Sequence, residues 1–349
     1  MPGGAAQDIP EPGKLLLVKL GSIGDVVETL PLANRLRVGL PGTEIGWVIE
    51  PKSYPLIESH PAVDRPILFR RGGGTAALRE AVSRIREFSP DLVIDAQRIL
   101  RSSLFTVLSG APRRLGFDRA RTKEGSWMFT NRKLPPRPGS RHMVLQYLEF
   151  ADYLGIPASA PVFGLTVAEE ATTAAARLLE GMGGRYLVFN IGAAKPANRW
   201  PIRHWAELAR EASSRTGMPI AVTGGAADGA AAAELAKTLP PAIPLKNLAG
   251  ATSLAELVAV LAGAGAVVSG DTGPMHIASA LGVPTLGLFG PADPGRTGPF
   301  NHLDLVVRSP APCSPCGRRS CPRDDCMAAI SPGRVWKELA AALERGRER

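Results

Sequence analysis

The chain is poor in aromatic residues: Phe, Trp and Tyr make up 5% of its 349 positions. Proteins that grip single-stranded nucleic acid interleave stacking rings with cations, so a net charge of +9 does not by itself make this one of them. Nor does any apolar run approach the roughly 18 residues that cross a bilayer. The opening stretch MPGGAAQDIPEPGK has no apolar core of a secretion signal, and a cytoplasmic protein is expected. No GxxxxGK[ST] loop occurs, which excludes a Walker-type phosphate cradle.

Cysteine is confined to Cys313, Cys316, Cys321 and Cys326. The spacing C-x2-C-x4-C-x4-C differs from the paired C-x2-C of a zinc ribbon. Two readings stay open: a structural four-thiolate site for zinc, or for iron, and unligated thiols in a proline-rich loop.

What is present is apolar material in short pieces. The hydrophobic share is 45%, and the 38 glycines and 32 prolines fall at turns between apolar runs, so the chain reads as globular, with enough length for two cores. Strands are expected over Leu15 to Leu20, Ile45 to Glu50 and Leu92 to Ala96, with helices over Asp25 to Leu40 and Thr75 to Phe88. After a helix over 168 to 180 the pattern starts again, with strands over Tyr186 to Ile191, Pro219 to Thr223, Ala266 to Ser269, Thr285 to Phe289 and Leu305 to Val307. Alternating strands and helices specify βαβ units and parallel sheets. The expected organisation is a free tail over 1–13, an α/β domain over 14–160, a second over 161–331 that carries the cysteines, and a closing helix over 332–349.

The charge is not spread evenly. Residues 98 to 141 hold eleven Arg and Lys against Asp118 and Glu124, a local excess equal to that of the whole chain. Such a block attracts phosphate-bearing partners, whether nucleic acid, an anionic membrane surface or a phosphorylated glycolipid; the plainer alternative is a solvated face.

In open parallel sheets ligands collect beyond the carboxyl ends of strands, and three loops there carry chemistry. The first is Lys19-Leu-Gly21-Ser-Ile-Gly24-Asp25, where glycines free the backbone to turn and helix-start amides face an anion or sugar. As a dinucleotide fingerprint it is incomplete, and Asp25 reads equally as a base or as a cap on the helix. The second is Ser269-Gly270-Asp271-Thr272-Gly273-Pro274-Met275-His276, a tight strand-to-helix turn with Pro274 expected at the first helical position, suited to a pyrophosphate. His276 lies one turn in, to donate to phosphate or to pack. The third, Gly192 to Pro201, supplies Lys195 as a point charge and Arg199 as a fork for phosphate. Asp228, after Gly224-Gly225, suits a ribose or a helix cap.

The stretches VKLGSIGDVVETLPLANRLR, DLVIDAQRILRSSL, GFDRAR with FTNRK, NRWPIRHWAELA and VVSGDTGPMHIASALGVPTLGLFGPADPGRTGP together resemble glycosyltransferase family 9, the ADP-heptose:lipopolysaccharide heptosyltransferases. The DAQ, G-F-D and NRK elements look most like the subgroup that adds the first heptose to the Kdo region of the inner core. The resemblance implies a GT-B fold, two Rossmann-like domains facing a central cleft, with ADP-heptose held by the C-terminal half and the acceptor by the N-terminal half. It implies inversion at the anomeric carbon, no metal in the chemistry, and work at the inner face of the inner membrane.

By the same resemblance Asp25 is the general base. Donor contacts fall to Lys195, Arg199, Asp228, Asp271, Thr272, Gly273 and His276. Acceptor contacts fall to Gly24, Gln97, Arg98, Arg101, Arg119 and Arg121, with Arg113 and Arg114 in the same block. One position departs from the family: where a phosphate-binding Lys often precedes the Trp-Pro pair, this chain has Asn198. The competing expectations are a related nucleotide-sugar transferase for another glycan or a protein and, last, a basic nucleic-acid-binding protein.

Overall fold

Runs such as Leu15 to Val18 and Leu187 to Phe189 are apolar on both faces, which a strand tolerates only where helices cover both sides of a parallel sheet. The computed structural model, which describes residues 10–137, 141–321 and 325–345, has that arrangement twice. The chain divides into two compact units between Thr166 and Val167.

The first unit contains β1 (Lys14–Val18), α1 (Ile23–Gly39), β2 (Glu44–Ile49), β3 (Arg65–Leu68), α2 (Gly74–Phe88), β4 (Leu92–Asp95), α3 (Leu100–Leu108), β5 (Arg113–Gly116), β6 (Arg132–Lys133) and α4 (Met143–Tyr153). The sheet order is β3-β2-β1-β4-β5-β6, and its ladders are parallel. Leu16, Val18, Val48 and Val93 pack with Val82, Ile85 and Phe88 of α2 into one core.

The second unit contains α5 (Glu169–Leu178), β7 (Tyr186–Asn190), α6 (Ile202–Thr216), β8 (Ile220–Thr223), α7 (Gly229–Thr238), β9 (Leu245–Asn247), α8 (Leu254–Ala262), β10 (Ala264–Gly270), α9 (Gly273–Ala280), β11 (Thr285–Phe289), α10 (Pro294–Thr297), β12 (Val306–Arg308), α11 (Asp325–Ala328) and α12 (Pro332–Arg345). Its sheet repeats the same plan, β12-β11-β10-β7-β8-β9. The closing helix does not stand apart: Val335, Leu339, Ala342 and Leu343 of α12 complete the core built on Trp205 and Leu208 of α6.

The segment before the division belongs to the first unit. Arg35 donates through Nε to the Pro157 carbonyl (2.9 Å), and Asn34 Nδ2 to that of Val162 (2.7 Å). The expected free tail lies outside the described residues up to position 9. Beyond it the chain is tied down, with the Pro10 carbonyl accepting from Arg113 and that of Pro12 from Thr43.

Four strands were not legible in the sequence. β3 (RPIL), β5 (RRLG), β6 (RK) and β9 (LKN) are short and rich in proline or charge. Their pairing is supplied by neighbours already in place, a tertiary effect that outweighs local preference.

Gly46 in β2 is required by packing: a Cβ there would lie 3.0 Å from the Phe88 ring and 3.1 Å from Leu16. Gly46→Val is therefore expected to destabilise the protein by about 1–3 kcal/mol through overpacking, read as a lower urea midpoint with an unchanged slope.

Candidate active site

Each sheet is wound outward in opposite directions from a central pair, β1 with β4 and β7 with β10. At such a switch point the loops leaving the two strands diverge and open a crevice. In the first unit the loops after β1 and β4 are joined there by the Leu20 amide, which donates to Gln97 Oε1 at 3.0 Å.

Helix α1 starts at Ile23, so Asp25 falls inside its first turn. Its N-cap, Ser22, makes no side-chain capping bond. Asp25 is not a cap either: one carboxylate oxygen accepts from the Ser22 hydroxyl at 3.2 Å and the other faces the Lys19 ammonium at 3.5 Å. Lys19 follows the four buried apolar residues Leu15 to Val18 and is 1% exposed, whereas the Asp25 side chain keeps 37% of its surface open. Lys19 Nζ also donates to Tyr147 Oη of α4 at 2.7 Å and lies 4.8 Å from the centre of that ring.

A buried ammonium without partners would shed its proton. Here burial pushes the Lys19 pKa down, but Asp25 and Tyr147 more than restore it and the net shift is upward. For Asp25 partial burial pushes the carboxyl up, and the opposing pull of Lys19, the Ser22 hydroxyl and Arg98 leaves it below the ordinary carboxylate range. The crevice thus carries an ionised carboxylate at neutral pH, standing on a fixed cation.

Asp95, at the end of β4, shapes the neighbouring loop. Its Oδ1 accepts from the amides of Gln97 and Arg98 (3.0 and 3.3 Å), and its Oδ2 from the Ser102 hydroxyl (2.9 Å). Burial raises its pKa against the pull of those bonds. Arg98 is held at φ +68°, and its guanidinium lies 5.0 Å from the centre of the Phe117 ring.

The other members of the basic block are not alike. Arg121 is committed inside the unit, to Asp118, to Glu149 (2.7 Å) and to the Pro135 carbonyl (3.0 Å). Arg113 donates to the carbonyls of Asp91 and Pro10, and Arg114 to those of Phe129 and Ala111. These three hold the fold together. Arg119 is exposed and lies 5.2 Å from the centre of the Trp127 ring, and Arg101 is half-buried on α3.

In the second unit the organising group is Asn190, the last residue of β7. Its Nδ2 lies 2.9 Å from Ser269 Oγ and 3.0 Å from Thr272 Oγ1, and its Oδ1 accepts from Thr223 (3.3 Å). Thr272 is the N-cap residue of α9, but its hydroxyl is turned to Asn190 and Ser269 and caps nothing. The first-turn amides, Gly273 among them, are left without a side-chain cap. Asp271 lies 3.9 Å from both Lys195 Nζ and His276 Nε2, and His276 is buried.

Arg199 and Asp228, expected to meet phosphate and ribose, pair with each other at 2.7 Å. Asp228 also accepts from the Gly225 amide at 2.8 Å, and a Cβ on Gly192 would lie 2.4 Å from its Oδ2, so it braces two glycine turns. Asn198 is buried. Its Oδ1 has no hydrogen-bond partner among the described residues, and its Nδ2 reaches only the Asp271 carbonyl, at 3.5 Å.

The cysteine loop lies against this region, with the Ala197 amide donating to the Arg319 carbonyl at 3.2 Å. Burial raises the Cys326 pKa, and Cys313, Cys316 and Cys321 lie near enough to add to the shift. The four thiols are clustered, though among the described residues no group of three or more His, Cys, Asp or Glu side chains is placed to hold a metal ion.

Three residues of these sites were missed in the sequence: Lys19, Tyr147 and Asn190. A lysine directly after four buried apolar residues, and an asparagine ending the buried run YLVFN, were visible signals, since a polar group at the carboxyl end of a buried strand points into the crevice. Tyr147 had none, because only the packing of α4 against α1 brings it to Lys19.

The family model for glycosyltransferase family 9 (heptosyltransferase) matches residues 78–327. Lipopolysaccharide heptosyltransferase 1 of Pseudomonas aeruginosa is 33% identical over 95% of this chain and 98% of its own. Among solved structures, Escherichia coli ADP-heptose lps heptosyltransferase II superposes with a TM-score of 0.79 at 26% identity, covering 96% of this chain and 99% of that one. An E. coli heptosyltransferase solved with ADP gives 0.76 at 27%, covering 94% and 99%. With two Rossmann-like units of the GT-B type and this coverage, the chain belongs to glycosyltransferase family 9, the heptosyltransferases.

Proposed function

We propose that this protein moves heptose from ADP-heptose, with inversion, to the Kdo region of the lipopolysaccharide inner core, with Asp25 as general base. The observation that carries the reading is the ionised Asp25 carboxylate, partly open at the β1/β4 crevice and fixed from below by Lys19. The E. coli relative solved with ADP supports the donor class.

The acceptor hydroxyl gives its proton to Asp25 as its oxygen bonds the anomeric carbon. The bond from that carbon to the β-phosphate oxygen breaks, and its electron pair leaves with ADP. A positioned base contributes on the order of 10²- to 10⁴-fold. The charge growing on ADP is met by Lys195, the amides of Thr272 and Gly273, and His276, as preorganised groups. Asp271 faces the sugar hydroxyls or steadies its own turn between Lys195 and His276. Arg199 and Asp228 act as a pair that sets the loop after β7, so phosphate falls mainly to Lys195. Gly24, Gln97, Arg98, Arg101 and Arg119 face the acceptor's anionic groups, while Arg121 holds the wall that carries them.

No helix among the described residues is long and apolar enough to cross a membrane. We place the protein in the cytoplasm, at the inner face of the inner membrane, because the acceptor is a membrane glycolipid.

Asp25→Ala is expected to lose about 10²- to 10⁴-fold in kcat while ADP-heptose binding stays within a few-fold; calorimetry and single-turnover assays check both, and near-normal turnover excludes Asp25 as base. Lys19→Met removes the cation that holds the Asp25 carboxyl down. The acid limb of its kcat/KM profile should move to higher pH, and an unmoved limb separates Lys19 from the base. The cysteines are proposed as a structural site, in which zinc or iron would draw the exposed Cys313 and Cys316 toward Cys326. Metal analysis of tag-free protein should find about one equivalent, lost in Cys321→Ser with Cys326→Ser; metal-free, fully stable protein refutes it.

A further inference from the structure

Helix α3 buries Phe105 in the core, with Leu108 packed against it, yet most of its inward face is polar and a second apolar stripe stays outside. Its hydroxyl residues face the protein: Ser102 and Thr106 are buried against Asp95 Oδ2 (2.9 and 3.3 Å), and Ser103 is buried beside the Ile99 carbonyl (3.3 Å). Three of its aliphatic residues face outward, with Leu100, Leu104 and Val107 exposed at 45, 44 and 42%. Positions i, i+4 and i+7 form one stripe along a helix.

The sequence hides this, because LRSSLFTVL scans as an ordinary amphipathic helix. The tertiary structure buries its serine and threonine face, since the buried Asp95 needs donors and takes them there.

The stripe is not an isolated accident of surface composition. Seven large apolar side chains are exposed among the described residues. Three stand on α3, and a fourth, Met128 at 61%, stands in the 3-10 turn Ser126–Phe129, which packs against α3.

Cations frame both ends. At the N-terminal end Glu124 accepts from the Leu100 amide (3.1 Å) and the Lys123 amide donates to the Arg98 carbonyl (2.9 Å), which brings the loop bearing exposed Lys123 and Arg119 alongside. At the C-terminal end exposed Arg86 of α2 donates to the Leu108 carbonyl at 3.0 Å. Trp127, in the same turn as Met128, lies under Arg119 and Lys133 (5.2 and 5.8 Å to the ring centre).

An aliphatic stripe framed by Arg and Lys, with a tryptophan under cations at its margin, has the composition of a surface that enters the headgroup region of an anionic bilayer. A protein partner's groove would satisfy the leucines but not a charge excess concentrated in this segment. We propose that the outer face of α3, with Met128, docks on an anionic phospholipid membrane, Leu100, Leu104 and Val107 inserting among the headgroups while Lys123, Arg119 and Arg86 meet lipid phosphates. The proposal rests on the reading that the acceptor is presented at a membrane. The loop bearing Arg98 runs directly into α3, so docking here would set the acceptor-facing loop at the lipid surface.

The test uses the full chain and no sugar substrate, so it fails or succeeds apart from the transferase assay. Co-sedimentation is measured with vesicles of phosphatidylcholine alone and with about one-third phosphatidylglycerol. The wild-type chain should bind the anionic vesicles, weakly or not at all the neutral ones, and release as salt rises. Leu104→Glu with Val107→Glu should lower binding about tenfold or more, at an unchanged melting midpoint, since both positions are exposed. Leu104→Trp should keep binding and show a blue-shifted emission quenched by brominated lipid. Val38→Glu, another exposed apolar position, should bind as wild type. Wild-type protein that ignores anionic vesicles, a double variant that binds normally, or a Leu104→Trp variant whose emission is indifferent to lipid overturns the proposal. So does self-association of the wild type that the same double variant abolishes, because the stripe is then a contact between two copies of this chain.

Discussion

An ammonium group buried just past the apolar run Leu15 to Val18 is the constraint around which the first unit is arranged. Lys19 has left water, and its charge is tolerable only because Asp25 and Tyr147 converge on it. Asp25 comes from the first turn of α1, Tyr147 from α4, and the packing of α1 on α4 brings the two together. The same pairing does chemical work. A carboxylate standing on a cation stays ionised and keeps one orientation, at some cost in basicity, and the proposed role of Asp25 as a base rests on that.

The second unit meets the same topological problem with neutral groups. Asn190 spans the carboxyl ends of β7, β8 and β10 with one amide, and so draws the Thr272 hydroxyl away from the start of α9. The start of that helix is left without a side-chain cap. Two sheets of one winding order thus put their reactive edges in equivalent places, with a fixed carboxylate in one and a fixed field of amides and cations in the other. The pairing of Arg199 with Asp228 belongs to the same economy, since a charge held by a buried partner shapes a loop more than it binds a ligand.

The basic block shows how one compositional feature divides once it folds. Arg113, Arg114 and Arg121 turn inward to carbonyls and carboxylates. Arg98, on the Asp95 turn, lies near enough to Asp25 to help hold its carboxyl down, and Arg119 and Lys123 remain outside with the exposed apolar stripe of α3. A tally of charge does not separate these uses, because each depends on which acceptors lie within reach in three dimensions.

Much of the architecture was legible in the residues. Apolar runs such as Leu15 to Val18 are strands because nothing else buries them on both faces, and the restart of the pattern after residue 168 marked the second sheet. Glycine turns followed by helix starts located the loops of Asp25 and Thr272, since their backbone chemistry is local. The family was legible in those same loops. Contacts between distant segments were not. That Lys19 lies under Asp25, that Arg199 pairs with Asp228, that α3 turns Leu100 and Leu104 outward, and that strands as polar as RRLG and RK join a sheet were decided only by the tertiary structure. The sequence by itself determined which residues must be buried and where the backbone must turn; which charges neutralise one another was left to the fold, because electrostatic partners are chosen by distance in space and not by order along the chain.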